Sequence, residues 1–177
     1  MRFLTLAETR DWCGQSEIRL TAKGTPERPS IEKHHVRLDI PQSFTRLTWF
    51  CQHLERSLQP RDTCLAWVTD WGIWGSSENL HLYYKLRQSY GDPRLLHEAP
   101  GHLFLRYEAP DFVSFLQVGI LCGWDIHLLP TVGYARAFVS HDEYVEFASD
   151  DSNAALVTEF AAPLVKGAEA GRGATSA

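Results

Sequence analysis

Two ionisable side chains, Asp125 and His127, have a spacing that suits acid–base chemistry. In the run WDIHLL, residues 124–129, they alternate with apolar residues, as is typical of a β-strand. Residues two apart on a strand share one face, so the carboxylate could orient the imidazole and raise its pKa. This pair is our candidate for the catalytic residues of a small hydrolase or transferase. A solvated strand face produces the same alternation without catalysis, and we favour that interpretation.

The histidines lack the spacing of a metal motif. The run HEAPGH, residues 97–102, resembles the zinc-protease motif HExxH but is one residue too long. Pro100 and Gly101 would also break the helix that brings both imidazoles of that motif to one face. His34 and His35 are adjacent on a predicted strand and therefore point to opposite faces. We predict no metal site and no cofactor.

The connection at residues 70–78 is a second candidate for chemistry. It precedes a predicted helix, whose first free N–H groups can bind an anion. It contains no phosphate-loop lysine, and Ile73 and Trp74 are unusual neighbours for a phosphate. A third run, SHDE at 140–143, contains Ser, His and Asp, but sequence neighbours cannot face one another as a catalytic triad does. Its spacing instead predicts a capping box at the start of a helix.

Tryptophan is concentrated where a binding surface could form. Trp71 and Trp74 lie on the 70–78 connection, and Trp49 falls on the polar face of a predicted helix. Arg87 falls inside the apolar arc of the next helix. Exposed aromatic and Arg side chains are typical anchors of protein interfaces. Each of these residues could instead have a role in packing. Another segment could cover Trp49, and the indoles of Trp71 and Trp74 could fold onto the end of the sheet. Arg87 could form an internal ion pair. Our candidate partner-binding residues are Trp49, Trp71, Trp74 and Arg87.

The elements that would position these residues are helices and strands in a mixed order. Strands are predicted near 17–22, 34–40, 63–69, 102–107, 124–129 and 134–140, and helices begin near Thr5, Ser43, Ser77, Asp111 and Ser140, the last spanning about 141–149. The run CLAWV, residues 64–68, is apolar throughout, which predicts a central strand covered on both faces. The fold prediction is α/β, with α+β as the alternative: one mixed sheet of about six strands with packed helices.

The chain is predicted to form one globular domain with a tail. Residues 1–150 carry the alternating elements, and residues 151–177 form a C-terminal extension. Its end, KGAEAGRGATSA, is low in complexity, so we expect the extension to be largely disordered from about residue 165.

Composition narrows the classes of partner. The chain has 177 residues and a net charge of −5, which argues against nucleic acid and against an anionic membrane surface. Glu8 and Asp11 interrupt the first apolar run, so it does not read as a secretion signal, and no apolar stretch reaches membrane-spanning length. The four cysteines include no CxxC pair, which is typical of reduced, buried thiols. We expect a cytoplasmic protein.

Three segments resemble those of an uncharacterised bacterial protein family of similar length. They are SSENLHLYYKLRQSYGD, EAPGHLFL and FVSHDEYVEF, and the resemblance covers roughly residues 45–147. It implies a bacterial, cytosolic setting and brings no activity, cofactor or residue role.

Taken together, these features favour a non-enzymatic protein-interaction domain. We expect an immunity-type inhibitor, or an accessory subunit of a bacterial toxin or defence system, that binds another protein such as a toxin through its aromatic surface. The alternative is a small hydrolase or transferase using Asp125 and His127 or the loop at 70–78.

Overall fold

The computed structural model describes residues 1–58, 62–72, 80–131 and 135–173. In chain order the elements are β1 (Arg2–Leu4), α1 (Leu6–Gln15), β2 (His34–Asp39), α2 (Phe44–Leu58), β3 (Thr63–Asp70), α3 (Leu80–Ser89), β4 (Gly101–Leu105), α4 (Ala109–Leu121), β5 (Asp125–Pro130), β6 (Ala135–Val139), β7 (Tyr144–Ser149) and α5 (Ala155–Gly173). Helices and strands thus both contribute, as the sequence predicts.

The strands form a single sheet in the order β1-β4-β3-β5-β6-β7-β2. One sheet with packed helices confirms the broad fold prediction. Two details differ: within the described ranges the sheet has seven strands instead of about six, and each neighbouring pair there is antiparallel, so the sheet is not mixed. The run CLAWV lies on β3, between β4 and β5, and all five of its residues are buried.

The predicted helix near 141–149 is wrong, because this segment is strand β7. Residues 140–143 form the turn that joins β6 to β7, with the Ser140 N–H donating to the Tyr144 carbonyl at 2.9 Å. Glu143 adopts a positive φ of 64°, which ends any helical path. Every residue of β7 is buried, so its sequence lacks the alternation that marks a half-exposed strand.

Two further segments differ from the prediction. Residues 17–22 contribute one isolated bridge, between Leu20 and Pro26, in place of a strand. Helix α5 continues to Gly173, past the position where disorder is predicted. The buried side chains of Phe160 and Leu164, four residues apart, anchor this helix to the core.

The helix predicted to begin near Thr5 is confirmed as α1, and a capping box stabilises its first turn. The Thr5 hydroxyl accepts from the Glu8 N–H at 3.2 Å, and the Glu8 carboxylate accepts from the Thr5 N–H at 2.8 Å. These bonds satisfy free donors at the start of α1.

The main core lies between one face of the sheet and helices α2, α4 and α5. Its largest buried side chains include Phe50, Phe104, Phe112, Phe115, Phe147 and Phe160. On the opposite face, Leu65, Trp67 and Leu129 pack against Cys13 of α1. The 3₁₀ turn Pro29–Ile31 crosses the same face beside β7 and β2.

The four cysteines are unpaired, and burial raises the pKa of the Cys64 and Cys51 thiols to about 12. Thiols in such surroundings are unreactive. Within the described part of the chain, no helix combines the length and apolarity needed to cross a membrane.

Candidate functional site

Four stacked rings connect the sheet to the surface at Trp49. Phe147 of β7 stacks on Phe160 of α5, with ring centroids 4.3 Å apart. Phe160 stacks on His53 at 5.2 Å, and His53 stacks on the Trp49 indole at 5.1 Å with the planes only 10° apart. Phe147 and Phe160 are buried and His53 is half-buried, whereas Trp49 is 39% exposed. We call these four residues the aromatic stack.

A hydrogen bond fixes the middle of the aromatic stack. The His53 Nε2–H donates to the Phe160 carbonyl at 2.9 Å, which ties α2 to α5. His53 and Trp49 are four residues apart on α2, so they are neighbours on one helix face. The indole is therefore held in one orientation from below while its outer surface meets solvent.

The other predicted binding residues are placed differently. Trp71 packs against the core, 4.8 Å from the Trp124 ring and 5.9 Å from the Tyr83 ring, which matches the alternative in which it folds onto the end of the sheet. Trp74 lies outside the described residues.

Arg87 is fully buried and forms the internal ion pair that was the alternative to partner binding. Its Nη2 lies 2.9 Å from Asp92 Oδ2, and its guanidinium lies over the Phe3 ring at 4.9 Å. Burial alone would raise the pKa of Asp92, but hydrogen bonds from Arg94 and Arg87 hold it well below its usual value. Arg87 cannot touch a partner without local unfolding.

Asp125 lies at the start of β5 and pairs with His141 instead of His127. Its Oδ1 accepts from both the backbone N–H and the Nδ1–H of His141, each at 2.9 Å. The hydrogen bond to Asp125 is the main reason why the pKa of His141 is raised. His141 is one-third exposed, and its other ring nitrogen, Nε2, lies 3.5 Å from Asp142 Oδ1.

His127 shares the face of Asp125, as the sequence predicts, but its surroundings do not favour the role of a general base. The side chain is buried, and its ring packs 4.7 Å from the Phe138 ring. Burial, together with the charges of Arg28 and Arg136, lowers the pKa of His127 to about 3. A buried imidazole with so low a pKa accepts a proton from a substrate poorly.

Two more charged residues adjoin the Asp125–His141 pair. Asp70, at the end of β3, is the register partner of Asp125 across the sheet. Arg28 Nη2 lies 4.0 Å from Asp125 Oδ2, and its Nη1 donates to the Tyr144 hydroxyl at 2.6 Å. Ligand atoms of Asp70, Asp125 and His141 all lie within 4.8 Å of one another, so these three residues could hold a metal ion.

A cavity of about 490 Å³ opens at the other end of the same face of the sheet. It is lined by Arg19, Thr131, Arg136 and Ser149 among others, and Asp125, His127 and His141 do not line it. Acidic side chains, including Glu32 and Asp150, line it as well, so the cavity favours neither an anionic nor a cationic ligand.

From the sequence we did not identify His53 as a site residue, and we did not bring Asp70, of the 70–78 connection, or His141, of the SHDE run, together with Asp125. His53 was detectable, because its i+4 spacing from Trp49 places the two rings on one face of α2. His141 was hidden by the capping-box reading of residues 140–143. Had that run been read as a hairpin turn, the pairing of β5 with β6 would have brought His141 beside Asp125.

Comparisons with protein-family models, curated proteins and solved structures found no match to this chain. The resemblance to a bacterial family therefore remains a prediction.

Proposed function

We propose that this protein is a non-enzymatic interaction domain that binds another protein through the surface around Trp49. An immunity-type inhibitor or an accessory subunit of a bacterial toxin or defence system is the role we expect, with a toxin as the first candidate partner. The observation that carries the proposal is the aromatic stack, which presents a rigid, partly exposed indole on helix α2.

An indole held in this way suits binding. Burying an aromatic ring at an interface removes a large apolar area from water, and Trp is among the commonest binding hot spots. Because His53 and Phe160 already fix its orientation, Trp49 loses little conformational freedom when a partner covers it.

The surroundings of Trp49 resemble the rim of an interface. The neighbouring exposed positions on α2 carry polar or basic side chains: Thr45, Arg46, Gln52 and Arg56. An apolar anchor within a polar rim is the usual arrangement of a transient protein interface. Arg46 and Arg56 favour a partner with acidic groups at the rim.

The test compares wild-type protein with Trp49→Ala. Each is immobilised and exposed to lysate of the source organism, and bound proteins are quantified by mass spectrometry. The protein depleted by the substitution is then purified and titrated calorimetrically. We expect Trp49→Ala to weaken binding at least about 30-fold, the effect of losing a hot spot of about 2 kcal/mol.

Tyr107→Ala is the matched control, because Tyr107 is an aromatic residue that is 79% exposed and lies outside the aromatic stack. This variant should retain full affinity. The proposal is overturned if no bound protein distinguishes wild type from Trp49→Ala, or if the purified partner binds both equally.

A small hydrolase or transferase is a second candidate, favoured by one observation. Asp125 Oδ1 accepts from His141 Nδ1–H and so orients the imidazole, which is how many general bases are arranged. For this function Asp125→Asn would abolish turnover of ester or phosphate substrates, whereas Trp49→Ala would leave it unchanged.

A further inference from the structure

Three segments of the fold bring Asp70, Asp125 and His141 together. Asp70 ends β3 and Asp125 begins β5, and the two residues face each other across the ladder beside a bulge between Val68 and Asp70. His141 lies in the turn after β6, which pairs with β5 through Ile126 and Val139. The backbone positions of all three donors are thus set by strand pairing.

The placement of two carboxylates is unusual by itself. Like charges directly opposite each other across a ladder repel and destabilise the pairing. The groups beside them are His141, whose Nδ1 is hydrogen-bonded to Asp125 Oδ1, and the cation Arg28, which lies 4.0 Å from the other oxygen, Oδ2. Arg28 therefore lies beside Oδ2, and a metal ion that replaces the proton on His141 Nδ1 would bind at Oδ1.

The distance between Asp125 and His141 matches that of two ligands in a metal centre. Asp125 Oδ1 and His141 Nδ1 are 2.9 Å apart. Two ligands bound to one ion at about 2.1 Å and at right angles lie about 3.0 Å from each other. Asp70 supplies the third donor within 4.8 Å of the other two.

His141 and Asp70 also make contacts with neighbouring protein groups of the kind that orient metal ligands. A metal-binding imidazole usually directs its second nitrogen at a carboxylate, and ligating carboxylates are themselves hydrogen-bonded. His141 Nε2 lies 3.5 Å from Asp142 Oδ1, and Asp70 Oδ1 accepts from the Gly72 N–H at 2.9 Å. With Nδ1 on the ion, Nε2–H would keep its acidic neighbour.

We propose that Asp70, Asp125 and His141 form a binding site for a divalent transition-metal ion. Two carboxylate oxygens and one imidazole nitrogen suit Zn²⁺ or Mn²⁺ better than Ca²⁺, which prefers oxygen ligands alone. Three protein ligands leave coordination positions for water or for a group of a partner molecule. The ion replaces the proton on His141 Nδ1 and neutralises the opposed carboxylates.

The experiment is calorimetric titration of the purified, tag-free chain with Zn²⁺ and with Mn²⁺. We expect one ion per chain and a loss of affinity of at least about 100-fold in Asp70→Asn and in His141→Ala, since each removes a ligand. Thermal unfolding in EDTA checks that each variant folds. Added Zn²⁺ or Mn²⁺ should raise the unfolding temperature of wild type but not of Asp70→Asn or His141→Ala.

Asp151→Asn is the matched control, because Asp151 Oδ1 forms a comparable contact with a histidine, 2.8 Å from His34 Nε2, without a second carboxylate. It should bind metal as wild type does. The proposal is overturned if neither ion binds saturably, if folded Asp70→Asn and His141→Ala bind as well as wild type, or if Asp151→Asn loses binding equally. None of these results depends on the partner surface at Trp49.

Discussion

At the scale of single residues, buried His102 is held in one tautomer by its neighbours. Its Nδ1 lies 3.1 Å from the Pro100 carbonyl, which can only accept, so Nδ1 carries the proton. Nε2 therefore accepts from the Tyr83 hydroxyl. Burial and the nearby charge of Arg87 lower the pKa of His102 to about 3.

This geometry makes stability depend on pH. In the unfolded chain a histidine takes up a proton below about pH 6.5, whereas folded His102 stays neutral down to about pH 3. The unfolded state therefore gains protons as the pH falls through this window, and the free energy of unfolding decreases. We expect His102 to make its full contribution to the free energy of unfolding above about pH 6.5, and to lose that contribution progressively as the pH falls towards about 3.

Urea unfolding at several pH values within that window tests the prediction. His102→Gln, which retains a donor and an acceptor but does not titrate, should show a shallower dependence on pH than wild type. His97→Gln, at an exposed position, should follow wild type. Parallel curves for wild type and His102→Gln would contradict the expectation.

At the scale of elements, helices and strands were predicted correctly where the spacing of their apolar residues is unambiguous. Helix α2 was predictable because its buried residues recur at helical spacing along one side. Strand β3 was predictable because its apolar run is too short for a helix and is followed by a connection that contains glycine. Strand β7 was not, because Glu146 is buried among apolar neighbours and Ser140 and Glu143 imitate a capping box. Only pairing with β6 and β2 makes this segment a strand.

The connection after β3 depends on a glycine. Gly72 has a φ of +52°, and a Cβ atom there would lie 2.2 Å from the Gly123 carbonyl oxygen. We expect Gly72→Ala to lower the free energy of unfolding by at least about 2 kcal/mol, since strain and steric overlap add. Chemical denaturation of both proteins measures the difference.

Gly14→Ala provides the comparison. Gly14 lies within α1, and a Cβ atom there meets nothing within 4 Å. Alanine should stabilise the helix by about 0.5–1 kcal/mol. A Gly72→Ala protein as stable as wild type would show that the approach to Gly123 is not required.

At the scale of the whole molecule, the order of the strands in the sheet could not be predicted from the sequence. β2 precedes β3 in the chain but occupies the far edge of the sheet beside β7, and three-residue β1 pairs with β4 at the other edge. These are long-range pairings without local signals. Asp70, Asp125 and His141 are brought together by two other pairings, β3 with β5 and β5 with β6. The first joins strands that are not consecutive in the chain, so the approach of Asp70 to Asp125 could not be predicted.

The sheet order predicts an uneven distribution of local stability. β3 is paired on both sides and buried on both faces, whereas β2 pairs only with β7 and exposes His35, Arg37 and Asp39. Local unfolding of β2 breaks one strand pairing and disturbs few buried contacts. Local unfolding of β3 would break two strand pairings and expose the core. Amides that exchange only through global unfolding should therefore cluster in β3 and β5.

Hydrogen exchange at several urea concentrations tests this distribution. Amides of Leu65 and Leu128 should show the full urea dependence of global unfolding, because their exchange exposes the whole core. Inner amides of His34–Asp39 should exchange at least about tenfold faster and with a weaker urea dependence. Equal exchange rates and equal urea dependences in β2 and β3 would mean that β2 unfolds only together with the core. That result would contradict the prediction, because β2 is held by its pairing with β7.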